Sequence, residues 1–277
     1  MRPELTLAID AAREAGSQLL QFYESAYEIE NKKSAHPADS PGDQPALRDL
    51  DYDPLTSADL AANQCLQEML RGRYPEYGWL SEETADSPER LERDAVWIVD
   101  PLDGTKEFVS HIGEFAVSIA LVESGRPTVA AMFNPVTDEL FSAVAGGGTF
   151  LNGKRVFCTN VKHLESASLT VSRSEAARGE VDPLRPHLGE VREVGSVAYK
   201  LAVISAGLCD VNVSVQPKNE WDVCAGDLLV CEAGGHMLDL NGQQRQYNQS
   251  EPLIKGGLAA GNSTLTHALL SLISDLY

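Results

Sequence analysis

The sequence predicts a layered α and β protein in two closely joined halves, an α+β half followed by an α/β half. Three observations predict it: an apolar face of helical spacing near the start, a central run of β-rich segments cut by turn residues, and alternating strands and helices beyond about Glu165. The boundary is expected near residues 155–165, giving halves over 1–160 and 161–277 that form one compact unit.

Leu5, Ile9, Ala12, Leu19, Leu20 and Tyr23 recur with helical spacing and predict an amphipathic helix from Glu4 to about Glu24. From Asn31 to Pro54 the chain is rich in Pro and Asp and has no periodic apolar face, so a long loop or flap is expected there, functional or without order of its own. Thr56 opens a second helix with Leu60, Cys65, Leu66, Met69 and Leu70 on its apolar side, stopping at Gly72 and Pro75. The short run Gly78–Ser81 leads into Glu82 and Glu83, and Ala95–Val99 reads as an apolar strand that ends at Asp100 in the turn Pro101–Thr105. Between Phe115 and Gly153, breaks at Gly125–Pro127, Asn134–Pro135 and Gly146–Gly148 divide the chain into consecutive antiparallel strands. The second half reads as a strand at Ser168–Ser172, helices around Val181–His187 and Ser196–Gly207, a strand at Cys209–Val215, a helix over Trp221–Gly235, a strand at Gly235–Leu240 and a last helix from about Ser263.

Composition narrows the function. With 277 residues and 43% hydrophobic content the chain can bury its own core, and 41 acids against 22 bases leave a formal charge of −19. Duplex nucleic acid and anionic lipid both need basic surface, so the expected partner is small or cationic, with no nucleic acid and no membrane. No run approaches ~18 apolar residues, and the first residues carry neither a basic nor an apolar leader, so a soluble cytoplasmic protein is expected. The five cysteines form no CxxC pair and read as buried core fillers, with Cys224 and Cys231 on one helix face; the six histidines show no zinc spacing.

The strongest chemical signal is VDPLDGTKEF at 99–108. An apolar strand presents Asp100, and Asp103 follows in a Gly-containing turn. Two carboxylates at such a place need a cation to converge on, because burying them unpartnered is prohibitively costly. Oxygen-only donors, here carboxylates, the Leu102 carbonyl and water, select a hard ion such as Mg²⁺. The backbone of Gly104 and Thr105 can turn N–H groups toward a phosphate. Taken singly, Asp-Gly is a common turn, vicinal acids such as Glu82–Glu83 are commonly solvated surface, and Asp222 at the start of a helix is a routine cap. The three acid clusters in the same context give the metal reading its weight.

Together TSAD, WLSEE, DPLDGT, the Gly-Ser-x-x-x-Lys helix and the WD…AGG segment resemble the inositol monophosphatase family of Mg²⁺-dependent, lithium-sensitive phosphatases, over nearly the whole chain. The resemblance implies a layered α-β-α-β-α sandwich of the inositol monophosphatase and fructose-1,6-bisphosphatase type, with most metal ligands in the first half and Asp222 and the substrate contacts in the second. It implies two or three Mg²⁺ ions held by Glu82, Asp100, the Leu102 carbonyl, Asp103 and Asp222, with Asp100 shared. It further implies that Asp59 and Thr105 form the hydrogen-bonded pair that orients the attacking water, that Glu83 assists near the most weakly held ion, and that the protein is a possible homodimer. The spacing Asp-Pro-Leu-Asp is one residue longer than the DxDGT of haloacid-dehalogenase phosphatases, which argues against a nucleophilic aspartate.

Lys106–Glu107–Phe108 after DGT, Ser172–Arg173–Ser174, and Gly195–Ser196 with Lys200 resemble the CysQ-type branch, the 3′(2′),5′-bisphosphate nucleotidases, which hydrolyse adenosine 3′,5′-bisphosphate to AMP. The resemblance assigns Gly104, Thr105, Arg173, Ser196 and Lys200 to phosphate or substrate binding. A second phosphate calls for an Arg or Lys that metal ions do not replace. The chain departs from the branch at Glu175, where His is usual, at Val197 and Ala198, and in its longer acidic Asn31–Pro54 segment. The alternatives are an inositol monophosphatase or sugar-bisphosphate phosphatase on the same scaffold, and an acidic metal-binding interaction protein without turnover.

Overall fold

The structure, a computed structural model, describes residues 2–25, 27–31 and 54–276. Helix α1, Pro3–Tyr23, begins with proline at its first position, where no N–H is needed. Strand β1, Ile29–Asn31, pairs antiparallel with β2, Pro54–Thr56. Of the expected flap between them, residues 32–53 lie outside the described residues. Helix α2, Ser57–Leu66, starts at a capping box: Thr56 accepts from the Asp59 backbone while Asp59 accepts from that of Thr56. The helix continues through one wider π turn at Gln67–Arg71.

The central sheet follows in chain order: β3 (Gly78–Ser81), β4 (Ala95–Asp103), β5 (Ala116–Glu123), β6 (Arg126–Asn134), β7 (Glu139–Val144), β8 (Gly148–Leu151) and β9 (Lys154–Val156), with the short helix α3, Thr105–Val109, after β4. All neighbours are antiparallel except β3 and β4. Two of the hairpins close through two-residue turns with positive φ at both positions, Ser124–Gly125 and Asn152–Gly153, the backbone that matches the strands' right-handed twist. Strand β4 is longer than the expected Ala95–Asp100, because pairing with β5 resumes at Asp103.

The second sheet has the order β11-β10-β12-β16-β14. Its chain order is β10 (Ser168–Val171), α4 (Arg173–Ala177), β11 (Glu190–Glu193), α5 (Val197–Ser205), β12 (Val211–Ser214), β13 (Lys218–Asn219), α6 (Glu220–Glu232), β14 (Gly235–Leu238), β15 (Leu253–Ile254), β16 (Leu258–Asn262) and α7 (Ser263–Leu276). The helix expected around Val181–His187 is instead a series of turns ending in a 3₁₀ turn at Arg185–His187. Pro183 and Pro186 remove the N–H groups an α-helix needs there. Val181 and Leu184 are buried all the same, against the second sheet, so their apolar spacing records burial and not helix. Strands β11 and β16 carried no clear signal: β11 is a charged edge, and β16 is built of Ala and Gly with little β propensity.

Helices α1 and α2 cover one face of the first sheet, α5 and α6 lie between the sheets, and α7 covers the outer face of the second. This is the expected α-β-α-β-α order. Alternation along β4 shows it: Trp97 and Val99 join the core under α1 and α2, whereas Val96 and Ile98 join the core around α5 and α6. Burial on both faces explains why β4 reads as a continuous apolar run. Cys65, Cys158, Cys209 and Cys224 are buried, but Cys231, expected beside Cys224 in the core, is exposed in the last turn of α6. Among the described residues no helix is long and apolar enough to cross a membrane.

Candidate active site

A cleft of about 360 Å³ opens where the end of β4, the start of α3 and the N-termini of α4, α5 and α6 meet. Of the residues picked out in the sequence, Glu82, Leu102, Asp103, Gly104, Thr105, Arg173, Ser196, Lys200 and Asp222 line it. Asp100 and Asp59 are buried, each 1% exposed. Glu83 is half-buried and does not line the cleft; its backbone is pinned through its N–H to the Ser81 hydroxyl and its carbonyl to Asn63.

Strand geometry brings Asp100 and Asp103 together. Residues three apart on a regular strand point to opposite faces. Here Asp100 pairs with Ser118 and Asp103 with Ala116, so three steps on β4 oppose two on β5. The extra residue is a bulge, and it returns Asp103 to the side of Asp100. Gly104 follows at φ 100°, and a Cβ there would approach the Glu114 carbonyl to 3.0 Å, so glycine is required for the chain to turn into α3.

The carboxylates are held at one oxygen each. Asp100 Oδ1 accepts from the Leu102 N–H at 3.0 Å, while its Oδ2 is buried with no hydrogen-bond partner. Asp103 Oδ2 accepts from the Ser196 hydroxyl at 2.7 Å and from the Ala198 N–H, which ties β4 to the start of α5. Asp222 Oδ2 accepts from the Asn219 N–H at 2.7 Å. Burial, then the charges of Glu82, Asp103 and Asp222, push the Asp100 carboxyl well above its ordinary range. Burial, then the charges of Asp103 and Glu82, also raise Asp222; burial raises Asp103 against the pull of Ser196, Ala198 and Lys200.

As the side chains stand, no three His, Cys, Asp or Glu among the described residues enclose an ion site ready-made. The mutual repulsion nonetheless shows that Glu82, Asp100, Asp103 and Asp222 share one field. Asp100 Oδ2 is an orphaned acceptor, and Asp103 and Asp222 line the cleft beside it. A hard cation would satisfy such oxygens and offset their mutual repulsion, so the donor set fits Mg²⁺.

Thr105 Oγ1 lies 3.1 Å from both Asp59 Oδ1 and the Leu102 carbonyl. A hydroxyl has one proton, and both of these neighbours are acceptors; the Thr105 lone pairs are therefore left for a donor from the cleft. Asp59 Oδ2 is meanwhile fixed by the Thr56 N–H at 2.8 Å and the Thr56 hydroxyl at 2.5 Å.

Across the cleft stand cations. Lys200 is 1% exposed; burial lowers its pKa, opposed by Glu175, Asp103 and Glu107. Its ammonium donates to the Val194 carbonyl at 3.4 Å. Arg173 is engaged by two carboxylates, Glu107 at 3.3 Å and Glu114 at 2.7 Å. Glu175, the departure from the nucleotidase pattern, is turned away from the cleft: Oε2 accepts from Ser172 and Oε1 from Ser214 and Val215. Burial opposes its ionisation, but Lys218, Lys200 and these hydroxyls hold its pKa below the ordinary value. Sequence reasoning passed over Lys218, which lines the cleft from β13; its signal was its place four residues before Asp222. It also missed why Gly195 precedes Ser196: a Cβ there would lie 2.3 Å from Glu107 Cγ.

The inositol monophosphatase family model matches residues 1–275, and the chain belongs to this family of phosphatases. Nus factor SuhB of Escherichia coli strain K12 is 32% identical over 284 residues, covering 99% of this chain and 97% of the relative. An inositol-1-monophosphatase of Rhizobium meliloti strain 1021 is 36% identical over 228 residues, covering 80% and 83%. Among solved structures, extragenic suppressor protein suhB of Bartonella henselae superposes with TM-score 0.79 at 28% identity, covering 96% of each chain. CysQ of Bacteroides thetaiotaomicron, a bacterial member of the family, superposes with TM-score 0.74 at 27% identity, covering 95% of this chain and 98% of that one.

Proposed function

We propose that the protein is a Mg²⁺-dependent phosphomonoesterase whose substrate is a small bisphosphorylated nucleotide, adenosine 3′,5′-bisphosphate, cleaved to AMP and phosphate. The observation that carries the hydrolytic reading is the partnerless Asp100 Oδ2, buried behind a cleft that Glu82, Asp103 and Asp222 line. Glu82, Asp100, the Leu102 carbonyl, Asp103 and Asp222 would hold the ions, two or three in number. Bound there, Mg²⁺ supplies positive charge against the phosphate and makes a water more acidic.

The chain's own groups do the rest. Thr105, its proton committed to Asp59 or Leu102, accepts a hydrogen bond from a water and so aims that water's oxygen into the cleft. Asp59 is the base behind it, kept in place by Thr56. The N–H groups of Gly104 and Thr105 face the phosphate, and Ser196, by holding Asp103, keeps the α5 terminus against it. Glu83 assists from outside the cleft. Lys200 and Lys218 supply the charge for a second phosphate; the KEF continuation and the CysQ likeness support this choice of substrate.

The full pairing of Arg173 with Glu107 and Glu114 favours a second reading, an inositol monophosphate, which agrees with the inositol-1-monophosphatase relative. Comparing kcat/KM for adenosine 3′,5′-bisphosphate, inositol 1-phosphate and fructose 1,6-bisphosphate with Mg²⁺ separates them. A preference for the nucleotide supports the first reading, and a preference for inositol 1-phosphate supports the second. No phosphate release from any of the three defeats the enzyme reading.

A further inference from the structure

Two buried ionisable side chains take no part in the cleft. Arg90, 2% exposed in the 3₁₀ turn Pro88–Glu92, follows the strand that delivers Glu82. Glu220, 1% exposed, is the first residue of α6, two before Asp222. Both grip the same short stretch of chain. Arg90 donates to the Asn248 side-chain oxygen at 2.6 Å and the Gln249 carbonyl at 2.8 Å, while Asp86 takes its other N–H groups at 2.7 and 2.9 Å. Glu220 accepts from the Asn248 N–H at 2.6 Å and the Gln249 N–H at 2.8 Å. Asn248 sits at φ 59°, a conformation costly for a non-glycine residue unless its surroundings impose it.

Burying an arginine and a glutamate is a poor way to gain stability, and such groups are retained where they enforce one arrangement. The arrangement here has a clear object. Through Asn248 and Gln249, the β3 side of the cleft is tied to the first turn of α6 by charge-assisted hydrogen bonds. We propose that Arg90, Asn248 and Glu220 are positioning residues, a brace that sets the separation of Glu82 from Asp222 and thereby the affinity of the site for its cation. The proposal rests on the metal reading above.

The test uses the full-length protein with Glu220→Gln, which spoils one of the two N–H acceptors, and Asn248→Gly, which removes the side-chain link to Arg90, leaves the one to the Gln249 carbonyl and tolerates the positive φ. Mn²⁺ binding is measured by calorimetry, and Mg²⁺ dependence by phosphate release. Groups that orient metal ligands change affinity by roughly 10–100-fold, so the Mn²⁺ Kd and the half-saturating Mg²⁺ should both rise at least about tenfold in each variant. At saturating Mg²⁺, kcat should stay within about threefold, the split a merely destabilised protein does not show. Unchanged Mn²⁺ affinity in a folded variant overturns the brace. Should either variant fail to fold, Arg90→Lys, which keeps the charge and loses the fork, decides by the same two readouts. If the unsubstituted protein binds no Mn²⁺, the metal reading itself falls, and the brace with it.

Discussion

Asp100→Asn should make the metal-free protein more stable and inactive at once. In the folded protein Asp100 Oδ2 has no donor and faces the charges of Glu82, Asp103 and Asp222. An amide of the same shape keeps Oδ1 for the Leu102 N–H and offers its NH₂ to the neighbouring carboxylates. A buried polar group left unsatisfied costs about 1–3 kcal/mol, more when charged, and the substitution should recover about that much. At about 2–4 °C per kcal/mol for a chain of this size class, Tm in EDTA should rise by roughly 2–12 °C near pH 8. The pH dependence has a definite sign. The folded-state pKa of Asp100 is raised, so the folded protein keeps a proton that the unfolded chain has released, and its stability falls as pH climbs from the ordinary carboxylate range toward the raised value. The amide does not titrate, so the advantage of the variant should shrink toward about pH 5 and grow toward about pH 8. Millimolar Mg²⁺ should stabilise the unsubstituted protein and do little for the variant. Scanning calorimetry of both proteins at the two pH values, with EDTA and with Mg²⁺, measures all of this. A variant less stable in EDTA near pH 8, or equal stabilisation of both by Mg²⁺, would refute the reasoning.

Thr105→Ala removes the hydroxyl between Asp59 and Leu102 and should lower kcat by at least about 10²-fold, at a cost of no more than about 1–3 kcal/mol in unfolding for the donor taken from buried Asp59; steady-state phosphate release and urea denaturation check the pair. Gly195→Ala places a methyl against Glu107 and should cost about 1–3 kcal/mol in urea unfolding, because both α5 and the Arg173 ion pairs must give way. Lys200→Ala should harm hydrolysis of adenosine 3′,5′-bisphosphate more than that of inositol 1-phosphate in kcat/KM; equal losses would remove Lys200 from substrate recognition. Li⁺ should inhibit phosphate release at millimolar Mg²⁺, and indifference to Li⁺ in that assay would count against the proposed ion site.

Most of the fold was legible because burial leaves a period behind. Helix α1, the apolar run of β4, the opening of α2 at Thr56 and the antiparallel strands broken near Gly125–Pro127 and Asn134–Pro135 all follow from local chemistry. The failures have one cause. Val181 and Leu184 are apolar for the sake of a neighbouring sheet, β16 buries Ala259 and Ala260 in the cores on either face of its sheet, and Cys231 lies where its helix leaves the core. None of these can be known before the layers are stacked.

The same division runs through the site. Residue type and spacing alone pointed to a hard cation at Asp100 and Asp103, and the family resemblance of DPLDGT, WLSEE and EWD added Glu82, Thr105 and Asp222. Only the tertiary structure decided what surrounds them. The bulge returns Asp103 to the side of Asp100; Glu175 is turned inward onto Ser172 and Ser214; Arg173 is engaged by Glu107 and Glu114; Arg90 and Glu220 share Asn248 and Gln249 from positions more than a hundred residues apart. The residue types that make a candidate ligand belong to short segments and are written in them. The charge state and direction of each side chain depend on what burial places beside it, and that is settled by contacts between segments distant in the chain.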